Sequence, residues 1–238
     1  MTLVLLPGLN NTSAVWTPVV NKLVAFGVDA ASISAVECCA LPSVEAIVKE
    51  LLRTLPTKFY LGGFSFGGYV ALAIQALAPE RVAGLILVNT SANSDNEKTV
   101  DFRRQAIADA QAGRHETMML KQMPILFDKA SLEDDALQAS LLDMLREYGV
   151  EAFVAHTLAC ISRPDRRSAL SDLNVPTLVV SGAQDRLIPP AVQEKMAREI
   201  SGATYQTIEK SGHMLPIERP AELAACMFRW LEAQKFGV

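Results

Sequence analysis

Three short segments hold residues suited to chemistry. Gly63-Phe64-Ser65-Phe66-Gly67 is a G-x-S-x-G pattern, and a serine set in it is a candidate nucleophile. An apolar run from Phe59 precedes it and a helical pattern follows. Strand, sharp turn and helix are the context that the motif requires. In such a turn the serine backbone is strained, and side chains two places away on either side would collide with it. Glycine at both positions removes the clash. The helix that follows directs its first amides and its dipole at Ser65, which favours negative charge developing there.

A serine nucleophile at neutral pH needs a base, and the base needs an orienting acid. The chain has 3 histidines. His115 and His156 lie in helical patterns without a loop signature, and surface or packing roles are expected for both. His213 sits in Ser211-Gly212-His213-Met214-Leu215-Pro216, where Gly212 and Pro216 mark a loop just after the last strand. For the acid, Asp185 follows an apolar run in Gly182-Ala183-Gln184-Asp185. Both loops fall at the carboxyl edge of a parallel sheet, where ligands bind in open α/β folds. Asp165 and Asp172 precede that strand and lie at its wrong end. The order Ser65, Asp185, His213 is the one expected for this kind of elbow.

The elements that must position these groups are read from periodicity. Short apolar runs recur at 3–6, 28–33, 59–61, 84–88, 177–180 and 204–208. Several are apolar at consecutive positions, which suits strands covered on both faces. Helical patterns at 15–26, 44–55, 67–77 and 190–200 alternate with them, and a last helix runs from about 221 to 234. Alternation of this kind implies βα units, with about six mainly parallel strands and helices on both faces. Between Thr90 and Leu173 no good strand is found. That stretch reads as helices at 97–112, 115–122, 132–148 and 150–161, and carries Met118, Met119, Met123 and Met144. Methionine repacks readily around varied shapes, so the stretch suits an apolar lid as well as ordinary core.

On these residues the sequence resembles the α/β-hydrolase superfamily. The likeness rests on Gly63 to Gly68, on Gly182 to Asp185 with Pro189, on Gly212-His213 with Glu218 and Pro220, and on Leu5-Leu6-Pro7-Gly8-Leu9. Many relatives carry His-Gly where this chain has Pro7-Gly8, and that histidine is not the catalytic base. The resemblance implies a core of residues 1–90 and 172–238, with residues 91–171 inserted as a helical cap. It implies that Ser65, Asp185 and His213 form a triad, and that the backbone amides of Leu9 and Phe66 form an oxyanion hole. It implies cleavage of an ester, lactone or thioester of a small, largely apolar acyl substrate. The same triad serves C–C cleavage, elimination and perhydrolysis in relatives, and a non-catalytic receptor is the remaining reading.

Composition sets further bounds. The chain has 238 residues, 50% of them hydrophobic and 20% charged, with a formal charge of −4. Such a chain folds around a core, and its charge argues against nucleic acid as a partner. No apolar stretch approaches the roughly 20 residues of a spanning helix. Without a signal-peptide pattern, Cys38, Cys39, Cys160 and Cys226 are expected as reduced thiols in a cytoplasmic protein. Asn10-Asn11-Thr12 and Asn89-Thr90-Ser91 match the glycosylation pattern, which carries no weight in that setting. No phosphate-binding loop or metal-ligand spacing is found, so no cofactor or metal is expected. The oligomeric state stays open. The polar candidates in the insert are Arg103, Arg104, His115, Lys121 and His156, most expected on a solvated face. One buried arginine among them would favour an anionic substrate.

Overall fold

Runs of Leu, Val and Ile without alternation become strands buried on both faces. The computed structural model describes residues 1–236. The strands are β1 (Thr2–Leu6), β2 (Ile33–Ala35), β3 (Phe59–Phe64), β4 (Val82–Val88), β5 (Thr177–Gly182) and β6 (Thr204–Ile208). They form a single six-stranded sheet in the order β2-β1-β3-β4-β5-β6, and every neighbouring pair is parallel. Helices α1 (Thr17–Ala25), α2 (Val44–Thr54) and α3 (Phe66–Leu77) alternate with the first strands. Between β4 and β5 lie α4 (Glu97–Asp109), α5 (His115–Leu126) and α6 (Asp135–Ser162). The chain closes with α7 (Pro190–Glu199), α8 (Leu215–Glu218) and α9 (Pro220–Ala233).

The core divides by strand parity. Leu3, Leu5, Phe64, Ile86, Val88 and Val180 pack on one face of the sheet with Val19 of α1 and Met227 of α9. Val4, Leu6, Leu61, Leu87 and Val179 pack on the other with Val48 of α2, Ile74 of α3 and Met196 of α7. Successive side chains of a strand point to opposite faces, so an unbroken apolar run fills both layers. Burying each large aliphatic side chain contributes about 1.5–3 kcal/mol.

The expected strand at 28–33 is corrected. Asp29 caps a short 3₁₀ turn over Ala30–Ser32 by accepting from the Ala31 amide, and pairing begins only at Ile33. A side chain that bonds its own backbone competes with the sheet ladder. The insert also differs in detail. The helix expected from 97 to 112 ends at Asp109 and passes through a wide turn over Ala110–Arg114, where Gly113 takes φ 79°. The break expected near 149 is present as Gly149 at φ 76° inside α6. Among the described residues no helix is long and apolar enough to cross a membrane.

Candidate active site

The turn from β3 into α3 holds Ser65 at φ 52° and ψ −114°, a conformation rarely adopted outside glycine. Its neighbours explain how it persists. A Cβ on Gly67 would lie 2.4 Å from the Leu6 carbonyl oxygen, and one on Gly63 would lie 2.4 Å from the Gly67 oxygen. The turn is therefore closed by backbone on both sides, and only glycine fits. The Ser65 amide donates to Val88 O at 2.9 Å, and Thr90 Oγ1 donates to Ser65 O at 2.8 Å. The strain is thus held by the end of β4.

Asp185 and His213 come to this turn from the ends of β5 and β6. His213 Nε2 lies 2.9 Å from Ser65 Oγ, and His213 Nδ1 lies 2.9 Å from Asp185 Oδ2. All three residues are buried. The other oxygen of Asp185 accepts from the amides of Leu187 and Ile188, each at 2.9 Å. Those bonds fix the carboxylate plane, and with Nδ1 donating to Asp185, Nε2 is left as the acceptor facing serine. The structure brings the three expected residues together. Asp165 instead pairs with Arg167.

The His213 loop is held by groups to which the sequence assigned no role. Asn89, at φ 44°, donates to the carbonyls of Gly212 at 3.0 Å and His213 at 2.8 Å. Its side-chain oxygen accepts from the Gly182 amide at 2.8 Å. It ties the ends of β4 and β5 to the loop after β6. Glu218 accepts from the amides of Gly212 and Asp128, at 2.9 and 2.8 Å. Burial pushes its carboxyl above the usual range, and those two amides oppose the rise.

Leu9 and Phe66 line the same cavity as Ser65, and their amides donate to no protein acceptor among the described residues. Next to Leu9, Asn10 takes φ 62°, and its side-chain oxygen meets His115 Nε2 at 2.9 Å. The His156 ring stacks on Phe66 at 4.8 Å, with its nitrogens on Tyr148 Oη and, at 2.7 Å, on Cys39 O. Burial lowers the pKa of both histidines. The expectation of a mostly solvated face is corrected here. His115 and His156 are buried and the Arg103 side chain is only 18% exposed, whereas Arg104 and Lys121 face solvent. Sequence periodicity does not separate the insert's inner face from its outer one when both are polar.

These groups open on a cavity of about 340 Å³. Ser65 and His213 lie in its wall, with Phe64, Met119, Leu141 and Phe153 among its apolar lining. Among the described residues no group of three or more His, Cys, Asp or Glu is arranged to hold a metal ion. All four cysteines are free thiols.

Comparison with known proteins bears on the fold and family. Residues 3–226 match the Alpha/beta hydrolase family. A pimeloyl-[acyl-carrier protein] methyl ester esterase of Neisseria meningitidis serogroup A is 27% identical over 78% of this chain, and the aligned stretch spans 61% of that relative. A protein of the same name from Nitrosomonas europaea is 26% identical over 94% of this chain and 93% of its own length. Among solved structures, a thermophilic esterase from Thermogutta terrifontis, with malate bound, superposes with a TM-score of 0.86 at 25% identity. That match covers 98% of this chain and 90% of the other. A strand–turn–helix serine, parallel strands delivering an acid and a histidine to it, and a matching profile along nearly the whole length lead to one assignment: the chain belongs to the alpha/beta hydrolase family.

Proposed function

We propose that the protein is a serine hydrolase that cleaves a carboxylic ester, lactone or thioester through an acyl-enzyme on Ser65. The observation that carries this reading is the continuous chain Ser65 Oγ, His213 Nε2, His213 Nδ1, Asp185 Oδ2, with both contacts at 2.9 Å, at the wall of the cavity. The names of the esterase relatives support it.

In this reading Ser65 Oγ bonds to the acyl carbon while its proton passes to His213 Nε2. Asp185 orients the imidazole and stabilises the imidazolium. The free amides of Leu9 and Phe66 donate to the oxyanion, each contributing roughly 3 kcal/mol in the transition state. The bond from carbon to the leaving oxygen or sulfur then breaks, and the proton on Nε2 goes to the leaving group. Water, deprotonated by His213, adds to the acyl carbon and releases acid and Ser65. Residues 91–171 act as a cap that lines the pocket and excludes bulk water.

A fluorophosphonate probe tests the reading. Labelling that is lost in both Ser65→Ala and His213→Ala supports it, and unlabelled folded protein overturns it. A graded p-nitrophenyl ester series, run beside lactones and acyl thioesters, separates acyl transfer from C–C cleavage and elimination.

A further inference from the structure

The cavity wall holds an uncompensated positive charge. Arg103 of α4 and Arg163, just after α6, share the carboxylate of Asp95. Arg103 Nε reaches Asp95 Oδ2 at 2.5 Å and Arg163 Nη2 reaches Asp95 Oδ1 at 2.8 Å. The Asp95 side chain is 4% exposed and that of Arg163 is 7% exposed. Asp95 is the only carboxylate paired with either guanidinium among the described residues. Two guanidiniums against one carboxylate leave one net charge. Cys160 lies beside them and does not supply it, because burial raises its pKa and keeps it a neutral thiol near pH 7. Tyr69 stacks its ring under Arg163 at 4.1 Å and stays protonated, since burial raises its pKa as well.

The two arginines differ in what they have left to offer. Arg163 is committed: Nε donates to Asn93 O at 3.0 Å, Nη1 to Cys160 O at 2.6 Å, and Nη2 is ion-paired with Asp95. Arg103 uses only Nε. Its Nη1 and Nη2 donate to no protein acceptor among the described residues. Both arginines and Asp95 line the same cavity as Ser65 and His213. The Arg103 side chain is 18% exposed and lies in the cavity wall, so its free Nη groups are open to a ligand that enters the cavity. A planar fork of free donors matches a carboxylate in a bidentate arrangement.

Resting on the hydrolase reading, we infer that Arg103 is the recognition group for a carboxylate that the substrate carries in addition to the bond cleaved, as in the half-ester of a dicarboxylic acid. Arg163 and Asp95 set the orientation of Arg103, with Asp95 fixing Nε so that the two Nη groups face the cavity. The apolar lining takes the methylene chain between the two ends.

The test has a binding arm and a kinetic arm. In the binding arm, calorimetry on Ser65→Ala follows unbranched dicarboxylates of graded length, the matching monocarboxylates and phosphopantetheine. Binding of a dicarboxylate that weakens tenfold or more on adding Arg103→Gln supports the proposal. Binding that ignores the substitution, or no dicarboxylate binding at all, overturns it. Arg103-dependent binding of phosphopantetheine in preference to every dicarboxylate also overturns it, in favour of a phosphate-bearing carrier. In the kinetic arm the readout is the ratio of kcat/KM for a dicarboxylate half-ester to that for a neutral ester of equal length. Loss of a buried charge partner predicts a fall on the order of tenfold to a hundredfold in this ratio for Arg103→Gln. Arg103→Lys should recover only part, because an ammonium lacks the fork. The solvent-facing Arg104→Gln should keep the wild-type ratio. An equal fall for both esters in Arg103→Gln would mean that the ion cluster only holds the cap in place, and would overturn the proposal. Fluorophosphonate labelling reports separately on Ser65 and His213, so a failed hydrolase reading is told apart from a failed carboxylate site.

Discussion

His115 Nε2 meets the side-chain oxygen of Asn10 at 2.9 Å, so a helix inserted after β4 grips the loop that follows β1. Asn10 adjoins Leu9, whose amide donates to no protein acceptor among the described residues. On the other side of the serine, His156 stacks on Phe66. The insert therefore contacts Asn10, next to Leu9, and Phe66, the two positions proposed to supply the oxyanion hole.

His115→Phe should lower kcat by up to about tenfold while leaving KM nearly unchanged. The phenyl ring keeps the packing against Phe153 and loses one hydrogen bond of net worth about 0.5–1.5 kcal/mol. With Leu9 stabilising the oxyanion as proposed, the effect falls on turnover rather than binding. A double-mutant cycle with Asn10→Ala measures the coupling directly. Strict additivity of the two substitutions in kcat would refute the link.

Acid should loosen the insert. Burial lowers the pKa of His156 and His115 below the ordinary 6.5, though Cys39 O and Glu37 pull His156 partly back. Between the lowered folded values and 6.5 the unfolded chain binds more protons, so stability rises with pH across that window. It is fully present above 6.5 and is lost as the pH falls toward the folded values. The thermal midpoint should drop on acidification from pH 7, and His156→Gln should flatten that drop. A variant with the wild-type slope would rule His156 out as a source.

With Ser65, Asp185 and His213 acting as proposed, Ser65→Ala should cost on the order of 10⁶ in kcat and Asp185→Asn about 10⁴. Asparagine there can accept from the Leu187 and Ile188 amides but favours the wrong imidazole tautomer. Steady-state kinetics on a p-nitrophenyl ester checks both, and retained hydrolysis in Ser65→Ala removes the assignment.

Ser65, Asp185 and His213 were legible because each follows a strand and lies in a loop punctuated by glycine or proline. Such signals are local, and a parallel sheet brings all strand ends to one edge. Asn89 was not legible: as Asn-Thr-Ser it reads as a glycosylation pattern, and its work is done on Gly182, Gly212 and His213, about a hundred residues away. The arginine cluster was only half visible. Arg103 stood among the candidates, yet its partners Asp95 and Arg163 come from opposite ends of the insert. The second strand was misplaced because Val28 and Ile33 bracket Asp29, whose capping bond outweighs β propensity locally.

Gly67→Ala should fail at folding rather than at chemistry. A Cβ there meets the oxygens of Leu6 and Pro7 at 2.4 and 2.7 Å, and these are backbone atoms that cannot rotate away. Low soluble yield or a sharply lowered thermal midpoint is expected. A well-folded variant with wild-type activity would show that β1 and α3 can move apart.

Asn89 provides the sharpest test of how the base is held. Asn89→Ala leaves the His213 carbonyl and the Gly182 amide without these partners and the Gly212 carbonyl with only the Ser211 hydroxyl at 3.4 Å, and each buried unpaired group costs about 1–3 kcal/mol. Asn89→Asp keeps the acceptor for the Gly182 amide but sets a carboxylate against the Gly212 and His213 carbonyls. If the donors hold the loop, aspartate should be no better than alanine, and both should lower stability and turnover together. If the shape of the residue and its φ of 44° are what matter, aspartate should behave like the native residue, because Asn and Asp both tolerate that conformation. Denaturant midpoints beside ester kcat separate the two cases. A stability change within about 0.5 kcal/mol in both variants would place the restraint on His213 elsewhere, on Glu218 and the Leu126 carbonyl.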